Sequence, residues 1–544
     1  MFGELQLIRS RLVLDILTLL LQCVCVISPI DRSFSRAIVA LIVTYTTAGG
    51  SFTNRWTITF PLVPFLVLQG LRFVVQDGAK YYYWISLSIS IASSICILLG
   101  LALSVLLFPP ITLPPIKGAK YNVGVVDLHL PVSIDGKDDH VTTRILYPTN
   151  DISKNHSSIP YIDPKKAVAF CKESMKIAPP ALQSKDWMLH TWRLIKLPVK
   201  RNAMPLNKKG SKMPLVVYSH GLGGTSEIYS YQTLNLAAMG NIVISITHTD
   251  GSSPMVERID GSIVYRDVEI DKLTAAGKHV EHVRLRRQST EMRVKEFLGA
   301  ATVMLRLDKI NIPELQEHGV SFVDKIDTAK KVVFMGHSFG GATALTAAQR
   351  EPSMVSCVIA HDPAIDWSPD DTRRALHPDN KLENSEHKYT GGLGGYVESD
   401  DKEAEQKGAA AVDNFANSLQ SSFKGSDDKS SSSLSNNKEP RSVHDLHLLT
   451  LYSQSWYDKN WGSSHIMECM HKRGELGLKD GLSDFGVISN ADHQEFSDIS
   501  FLLPTWLSRG IGMVGPRNPV DAAEEIGERT FVFLDAVQKQ AKNS

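Results

Sequence analysis

Charged residues are missing from several long stretches near the start of the chain, and these stretches predict membrane-spanning helices. Residues 84–108 contain no charged side chain, and a helix rising about 1.5 Å per residue then crosses a hydrocarbon core of about 30 Å. Residues 12–30 are interrupted only by Asp15, and residues 56–75 form another candidate. A cleaved signal peptide is the alternative for the first stretch, but Asp15 and the later spans argue against it. With the shorter stretch 37–49, for which a buried soluble helix is the alternative, the pattern predicts three or four spans.

Beyond residue 111 the pattern changes to short apolar runs that alternate with helical segments. Residues 121–130 and 141–147 are predicted to be two strands that pair antiparallel at the entry to a sheet. Buried strands over 215–218 and 242–246 flank a predicted helix over 227–239. Strand, helix and strand in that order imply a right-handed crossover and a parallel sheet.

Capping and periodicity predict the helices in more detail. Ser226 is placed to cap the helix over 227–239. A long helix over 280–307 carries an apolar face and a polar face, and its basic residues Arg287, Arg293 and Lys295 are interpreted as a solvated surface. The remaining predicted elements are strands over 331–335, 355–360, 446–451 and 485–489 and a closing helix over 522–538.

One long stretch does not have the pattern of a packed fold. From about 382 to 442 the chain is rich in Ser, Asp, Lys, Gly and Asn, with scattered apolar residues and no lasting period. Such a segment cannot bury enough apolar area to offset its ordering entropy, so it is predicted to be a disordered insertion. The chain is therefore divided into an N-terminal membrane region, 1–110, and an α/β domain, 111–544.

The chemistry is indicated by the five residues from Gly336 to Gly340, Gly-His-Ser-Phe-Gly, which lie between an apolar strand and a small-residue helix. This strand–turn–helix context is the nucleophile elbow of the α/β-hydrolase fold, with Ser338 as the nucleophile. A bare G-x-S-x-G also occurs in surface turns, so the assignment depends on the context. Glycines are needed two positions before and after the serine because the turn is sharp and strained.

A serine nucleophile requires a base and an acid, which in this fold follow in the order Ser, acid, His, each at the carboxyl end of a strand. Asp362 ends the strand after the elbow, with Asp366 kept as a substitute. His493 follows the last predicted strand by a few residues, and no histidine comes after it. We therefore predict a triad of Ser338, Asp362 and His493.

Acyl transfer also requires two N–H groups that bind the oxyanion of the tetrahedral intermediate. One belongs to Phe339, the residue after the nucleophile. The glycine-rich stretch 219–224 follows an earlier strand, and Leu222 within it is predicted to supply the second donor. A plain helix-capping turn, which also favours glycine, is the alternative for this stretch.

Charge and cysteine usage narrow the remaining possibilities. The chain has 58 basic and 58 acidic residues and a formal net charge of zero, which gives no argument for nucleic-acid binding. Three of its six cysteines lie in the predicted spans and the other three are dispersed along the rest of the chain, which predicts neither a disulfide framework nor a metal site. The residues indicate no cofactor and no metal.

These motifs together resemble the platelet-activating factor acetylhydrolase family, of the plasma or isoform II type. The resemblance lies in the elbow, the Ser-His-Gly-Leu-Gly stretch 219–223, the strand end Ile-Ala-His-Asp at 359–362 and the segment His-Gln-Glu-Phe-Ser-Asp at 493–498. It extends over about 113–540 without the insertion and does not include the predicted spans. Pro363 is a departure, because that family often has alanine or tryptophan after the acid.

The resemblance implies a calcium-independent phospholipase that removes a short or oxidised acyl chain from the second glycerol position of a phospholipid. It places the triad on Ser338, Asp362 and His493 and the oxyanion donors on Leu222 and Phe339, in agreement with the fold order. The expected partners are phospholipid substrate and, through the N-terminal helices, the lipids of a membrane. A membrane-bound carboxylesterase or lipase acting on another ester, and a non-catalytic membrane scaffold with a hydrolase fold, remain alternatives.

Overall fold

The computed structural model describes one N-terminal helix and most of the α/β domain. The described residues are 66–67, 80–102, 113–114, 116–150, 159–163, 166, 169–170, 172–173, 195–207, 212–307, 309–329, 331–376, 445–477, 481–503, 505–510 and 512–543. The predicted insertion over 382–442 lies outside them. So do the predicted spans over 12–30 and 37–49 and, apart from 66–67, the span over 56–75.

The N-terminal helix α1, Lys80–Ala102, covers most of the predicted span over 84–108. Several of its large apolar side chains are exposed, Trp84 by 67%, Ile91 by 54% and Leu98 by 60%. In the described part of the chain, no helix combines the length and apolarity that crossing a bilayer requires. The prediction of membrane spans is therefore not supported there.

Thirteen strands occur among the described residues. In chain order they are β1 (Asn122–Ile134), β2 (Lys137–Thr149), β3 (Ile159–Pro160), β4 (Lys196–Leu197), β5 (Lys200–Arg201), β6 (Leu215–Ser219), β7 (Ile242–Thr247), β8 (Met255–Glu257), β9 (Ile263–Tyr265), β10 (Val332–His337), β11 (Val355–His361), β12 (His447–Ser453) and β13 (Asp484–Ile488). The eight predicted strands correspond, to within about four residues at either end, to β1, β2, β6, β7, β10, β11, β12 and β13. The short strands β3, β4, β5, β8 and β9 were not predicted.

Of these described strands, nine form one sheet in the order β13-β12-β11-β10-β6-β7-β2-β1-β5. The six strands from β13 to β7 are parallel, and β2 pairs antiparallel with both β7 and β1. The predicted α/β-hydrolase fold, with a mostly parallel sheet and an antiparallel pair at its entry, is confirmed. Every residue of β6, β7, β10 and β12 is buried, as expected of strands covered by helices on both faces.

The helices that follow α1 connect and cover these strands. They are α2 (Ser230–Ala238), α3 (Val268–Ala275), α4 (His279–Leu305), α5 (Pro313–Glu317), α6 (Phe339–Arg350), α7 (Asp370–Leu376), α8 (Gln454–Asp458), α9 (Ser464–Lys472), α10 (Ile499–Leu502), α11 (Thr505–Gly510) and α12 (Pro519–Asn543). Single 3₁₀ turns lie at Glu227–Tyr229, Ile365–Trp367, Trp461–Ser463 and His493–Phe496.

Two apolar layers enclose the sheet because side chains alternate between its faces along each strand. On one face Val217 and Phe334 pack with Phe297 of α4 and Leu345 of α6. On the other face Val216 and Met335 pack with α2 and α12. The carboxyl ends of β10, β11, β12 and β13 therefore meet at one rim of the sheet, between these layers.

Two expectations about the helices are wrong. Ser226 makes no side-chain cap, because its hydroxyl donates to Glu227 Oε2 and accepts from Thr247 Oγ1. Arg293, which was interpreted as part of a solvated surface, is completely buried against Asp250. A polar residue on an apolar helix face is buried here because a distant loop provides its counter-charge, and helix periodicity alone does not indicate that partner.

Candidate active site

Ser338 occupies a strained turn between β10 and α6. Its backbone angles, φ 57° and ψ −118°, lie outside the regions that a non-glycine residue readily adopts. A Cβ on Gly336 would lie 2.1 Å from the carbonyl oxygen of Gly340, and a Cβ on Gly340 would lie 1.9 Å from that of Ser219. The two glycines of the motif are thus required because neighbouring backbone fills the space of a side chain.

Asp362 lies at the end of β11 and is completely buried. Its Oδ1 accepts the backbone N–H of Ser453 at 2.7 Å, and its Oδ2 accepts the Ser453 hydroxyl at 2.6 Å. Burial raises the pKa of the Asp362 carboxyl, and the hydrogen bonds from His493 and Ser453 oppose that shift. Ser453 ends the neighbouring strand β12, so the parallel register brings both residues to the same rim.

His493 begins the 3₁₀ turn that follows β13, and the structure brings it to Asp362. Its Nδ1 lies 3.0 Å from Asp362 Oδ2. An N–H at Nδ1 that donates to this carboxylate leaves the lone pair on Nε2, as a general base requires. The His493 side chain is 17% exposed, so solvent and substrate can reach it. The alternative acid, Asp366, lies in the next turn, where its backbone carbonyl accepts from Arg287.

The His493 ring is held between two other rings. Trp456 of α8 stacks parallel to it, with ring centroids 4.0 Å apart and an interplanar angle of 3°. The ring of His337, the residue before Ser338, lies 4.3 Å away. These contacts place His493 beside the elbow. No hydrogen bond joins Ser338 Oγ to His493 among the described residues, and such contacts commonly close only when substrate binds.

The turn that carries His493 is fixed by a capping box. Asp492 accepts the His493 N–H at 2.6 Å, and Glu495 Oε2 accepts the Asp492 N–H at 3.0 Å. Asp492 also accepts the hydroxyl of Ser455 in α8, the helix that carries Trp456. The base and the ring stacked on it are therefore tied together.

The two predicted oxyanion donors are next to residues at the nucleophile: Phe339 follows Ser338, and Leu222 follows Gly221. Gly221 approaches the serine so closely that a Cβ on it would lie 3.1 Å from Ser338 Cβ. The N–H of Gly221 donates to Tyr229 Oη, and that of Gly223 donates to the Ser252 carbonyl. In the described residues, no acceptor is found for the amides of Leu222 or Phe339, which leaves both free to bind an oxyanion.

Tyr229 links His337 to the loop that contains Gly221 and Leu222. Tyr229 Oη accepts from Gly221 N–H, so its own proton points to His337 Nδ1, 2.8 Å away. Burial, helped by the neighbouring His493 and His361, lowers the pKa of His337 well below its usual value. His337 is therefore a neutral hydrogen-bond acceptor that links the nucleophile turn to the Gly221 loop.

Three possible metal ligands, His337, Asp362 and His493, have donor atoms within 4.8 Å of one another. Each already has a protein partner: both oxygens of Asp362 accept hydrogen bonds, His493 Nδ1 faces that carboxylate, and His337 Nδ1 accepts a hydrogen bond from Tyr229. The cluster is therefore explained by the hydrogen bonds of a Ser-His-Asp arrangement and its neighbours, which uses the same residue types as a metal site.

Sequence reasoning missed several residues that shape the site, among them Ser453, Trp456 and Tyr229. Ser453 had a detectable signal, since it is the polar residue that ends the strand next to the predicted acid. Trp456 and Tyr229 had none, because their contacts depend on how α8 and the Glu227–Tyr229 turn pack. The arrangement as a whole can activate a hydroxyl and stabilise an oxyanion, which is the chemistry of acyl transfer.

The chain is similar to known hydrolases. Residues 107–368 match the family model described as platelet-activating factor acetylhydrolase, isoform II, and residues 322–419 match that of the alpha/beta hydrolase fold. A platelet-activating factor acetylhydrolase of Canis lupus familiaris is 30% identical over 260 residues, which are 46% of this chain and 54% of that protein. One of Bos taurus is 32% identical over 167 residues, 28% of this chain and 36% of that protein.

The matches thus span about half or less of these relatives. Among solved structures, a ferulic acid esterase from Streptomyces cinnamoneus is 15% identical, with a TM-score of 0.44, over 79% of this chain and 93% of its own. A similarity of that size carries no argument about chemistry.

Proposed function

Because the chain belongs to the platelet-activating factor acetylhydrolase isoform II family of α/β-hydrolases, we propose that it is a calcium-independent serine esterase. The proposed substrates are phospholipids with a short or oxidised acyl chain at the second glycerol position. The observation that carries the chemistry is the 3.0 Å contact between His493 Nδ1 and Asp362 Oδ2 beside the strained Ser338 turn. The substrate class is supported by the names of the relatives.

The proposed reaction has two acyl-transfer steps. His493 Nε2 accepts the Ser338 proton as the hydroxyl oxygen attacks the ester carbonyl, and the amides of Leu222 and Phe339 bind the oxyanion. When the intermediate collapses, His493 gives that proton to the leaving lysophospholipid oxygen and the acyl group stays on Ser338. A water that loses a proton to His493 then attacks the acyl-enzyme. His493 returns that proton to the Ser338 oxygen as the fatty acid leaves, which restores the serine hydroxyl and the neutral base.

Asp362 contributes to both steps through His493. Its carboxylate accepts the Nδ1 proton, which fixes the ring tautomer and stabilises the imidazolium formed in each step. Ser453 donates two hydrogen bonds to the same carboxylate, so the acid does not rotate away from the base.

The test compares hydrolysis rates on three substrates by the wild-type chain and by Ser338→Ala in the presence of EDTA. The substrates are a short-acyl phospholipid, a long-acyl phospholipid and a simple soluble ester. We expect the short-acyl phospholipid to give the highest kcat/KM and Ser338→Ala to lose activity on all three. A preference for the soluble ester would instead indicate a carboxylesterase on another substrate, and inactivity of the wild-type chain would indicate a scaffold.

We also propose that the N-terminal region attaches the protein to a membrane. The proposal is supported by the uncharged stretch 84–108 and by the exposed apolar residues of α1. The test is the partition of the full chain between membrane and soluble fractions after extraction at high pH, compared with a chain that begins at residue 111. Recovery of the full chain in the soluble fraction would contradict the proposal.

A further inference from the structure

A second Ser-His-acid arrangement lies behind the loop that carries Leu222. Ser219, the last residue of β6, places its Oγ 2.8 Å from His248 Nε2. His248 Nδ1 lies 2.6 Å from Glu296 Oε2 of helix α4. The side chains of His248 and Glu296 are 0% and 1% exposed, so no substrate reaches this arrangement. A role in holding other groups in place is therefore the one that its burial permits.

The hydrogen bonds fix the tautomer of His248. Glu296 Oε1 accepts both the N–H and the hydroxyl of Thr249, which leaves Oε2 to accept from His248 Nδ1. His248 Nε2 is then an acceptor for the Ser219 hydroxyl. Burial lowers the pKa of His248 well below its usual value, so this imidazole is neutral.

The backbone of His248 is hydrogen-bonded to His220, which in turn contacts the loop that carries Leu222. Its N–H donates to His220 Nε2 at 3.1 Å, so the proton of His220 is on Nδ1. That Nδ1–H donates to the carbonyl of Gly221 at 2.7 Å, one residue before Leu222. Glu296 is thereby connected, through His248 and His220, to the peptide group that contains the Leu222 N–H.

Arg293 lies one turn before Glu296 on α4. It contacts both the Leu222 loop and Phe339, the two segments that carry the predicted oxyanion donors. It donates to the His220 carbonyl at 2.9 Å, and its guanidinium lies 4.2 Å from the centre of the Phe339 ring. Asp250 forms an ion pair with Arg293 at 3.3 Å and accepts the N–H of Ser252. The Ser252 carbonyl in turn accepts the N–H of Gly223, on the other side of Leu222.

We propose that this α4 network, defined as Arg293, Glu296, His220, His248 and Asp250, positions the Leu222 and Phe339 amides for the oxyanion. It acts through the loop and does not touch substrate, so its members are positioning residues. The inference depends on the proposed function, because an oxyanion must form at Ser338 for the position of the two amides to matter.

The test is Glu296→Gln, an isosteric change in the full chain, assayed at pH 8. This pH is above the value of about 7 to which burial raises the pKa of the Glu296 carboxyl, so the wild-type residue is an acceptor on both oxygens. A glutamine amide must turn its NH₂ either to the Thr249 N–H or to His248 Nδ1. The first choice opposes the Thr249 N–H, which can only donate, and the second reverses the His248 tautomer and the Ser219 hydrogen bond.

Because a displacement of about 1 Å at a reacting centre costs about 10²-fold in rate, we expect kcat on a short-acyl ester to fall about 10- to 100-fold. We expect KM to change by less than about twofold, since the ground-state ester makes little use of the amides. Affinity for an alkyl boronic acid, which forms a tetrahedral adduct with the serine, should fall by the same factor as kcat. A role in stability alone would not produce this agreement.

Glu291→Gln on the same helix is the matched control. Glu291 pairs with Arg350 at 2.7 Å and its side chain is 41% exposed, so kcat, KM and boronate affinity should stay at wild-type values. Wild-type kcat in Glu296→Gln, or a change in KM alone, would overturn the inference. If the wild-type chain neither hydrolyses esters nor reacts with a fluorophosphonate, the proposed function fails instead.

Ser219→Ala keeps the test decisive if Glu296→Gln does not fold. It removes the hydroxyl that donates to His248 Nε2, and the loss of such a hydrogen bond corresponds to a kcat lower by about 2- to 12-fold at constant KM. A Ser219→Ala enzyme with wild-type kcat and boronate affinity would overturn the inference.

Discussion

Replacing Gly340 by alanine introduces a methyl group where backbone already fills the space. The new Cβ would lie 1.9 Å from the Ser219 carbonyl oxygen, 2.5 Å from the Ser219 carbonyl carbon and 2.9 Å from the His220 carbonyl oxygen. No flexible side chain is among these atoms, so β6 and the start of α6 have to move apart. Restoring an ordinary contact of about 3.4 Å needs a displacement of about 1.5 Å.

That displacement is expected to lower both the free energy of unfolding and kcat. Overpacking of a buried site costs about 1–3 kcal/mol of unfolding free energy. The two oxyanion amides also separate, because Leu222 follows Ser219 in the loop and Phe339 precedes Gly340 in the helix. Since about 1 Å of misplacement costs about 10²-fold in rate, we expect kcat to fall by at least about 100-fold.

The assay is hydrolysis of a soluble acetyl ester together with urea unfolding of the full chain. Gly527→Ala is the matched control, because Gly527 lies inside α12 and a Cβ there meets nothing within 4 Å. That change should leave kcat unaffected and stabilise the protein by about 0.5–1 kcal/mol. Wild-type kcat and stability in Gly340→Ala would refute the reasoning.

Three further predictions concern the acid, the ring stacked on the base and one buried carboxyl. Asp362→Asn should lower kcat about 10³- to 10⁴-fold with little change in KM, because an amide favours the wrong His493 tautomer. Steady-state kinetics measure this change, and a loss of kcat below tenfold would contradict the role of Asp362. Trp456→Leu should lower kcat about 2- to 30-fold, and Trp456→Phe less, because an aromatic face stabilises the imidazolium; equal rates in the two variants would count against the stacking. Burial raises the pKa of Asp498 to about 8, so its contribution to stability is complete below the unfolded pKa near 4 and is lost as the pH rises through 8. Urea unfolding from pH 4 to 9 should therefore show wild type losing stability relative to Asp498→Asn by up to about 1.4 kcal/mol per pH unit, whereas parallel curves would disprove the shift.

The long strands of the sheet and the chain order of the triad could be predicted from the sequence, because both follow from local patterns. Apolar β-branched runs indicated the parallel strands, and the glycines around Ser338 indicated a turn that tolerates no side chains. Asp362 and His493 were selected by their positions after strands, and in the structure they are hydrogen-bonded at 3.0 Å. Strand ends that share one rim bring distant residues together, and so position along the chain was informative.

The buried polar residues behind the site could not be predicted in this way. Arg293 was interpreted as solvated, because its partners Asp250 and His220 lie in loops far away in sequence. Trp456 could not be assigned either, since its contact with His493 depends on how α8 packs against the turn after β13. Such contacts follow from three-dimensional packing, which no local spacing contains.

The central claim is that Ser338 is the nucleophile activated by His493, and covalent labelling tests it most directly. A fluorophosphonate should modify the folded full chain at one site, which peptide mapping by mass spectrometry should identify as Ser338. The same treatment should give no adduct in Ser338→Ala and at least about 10³-fold slower labelling in His493→Ala. An adduct on another residue, or labelling of His493→Ala at the wild-type rate, would contradict the account.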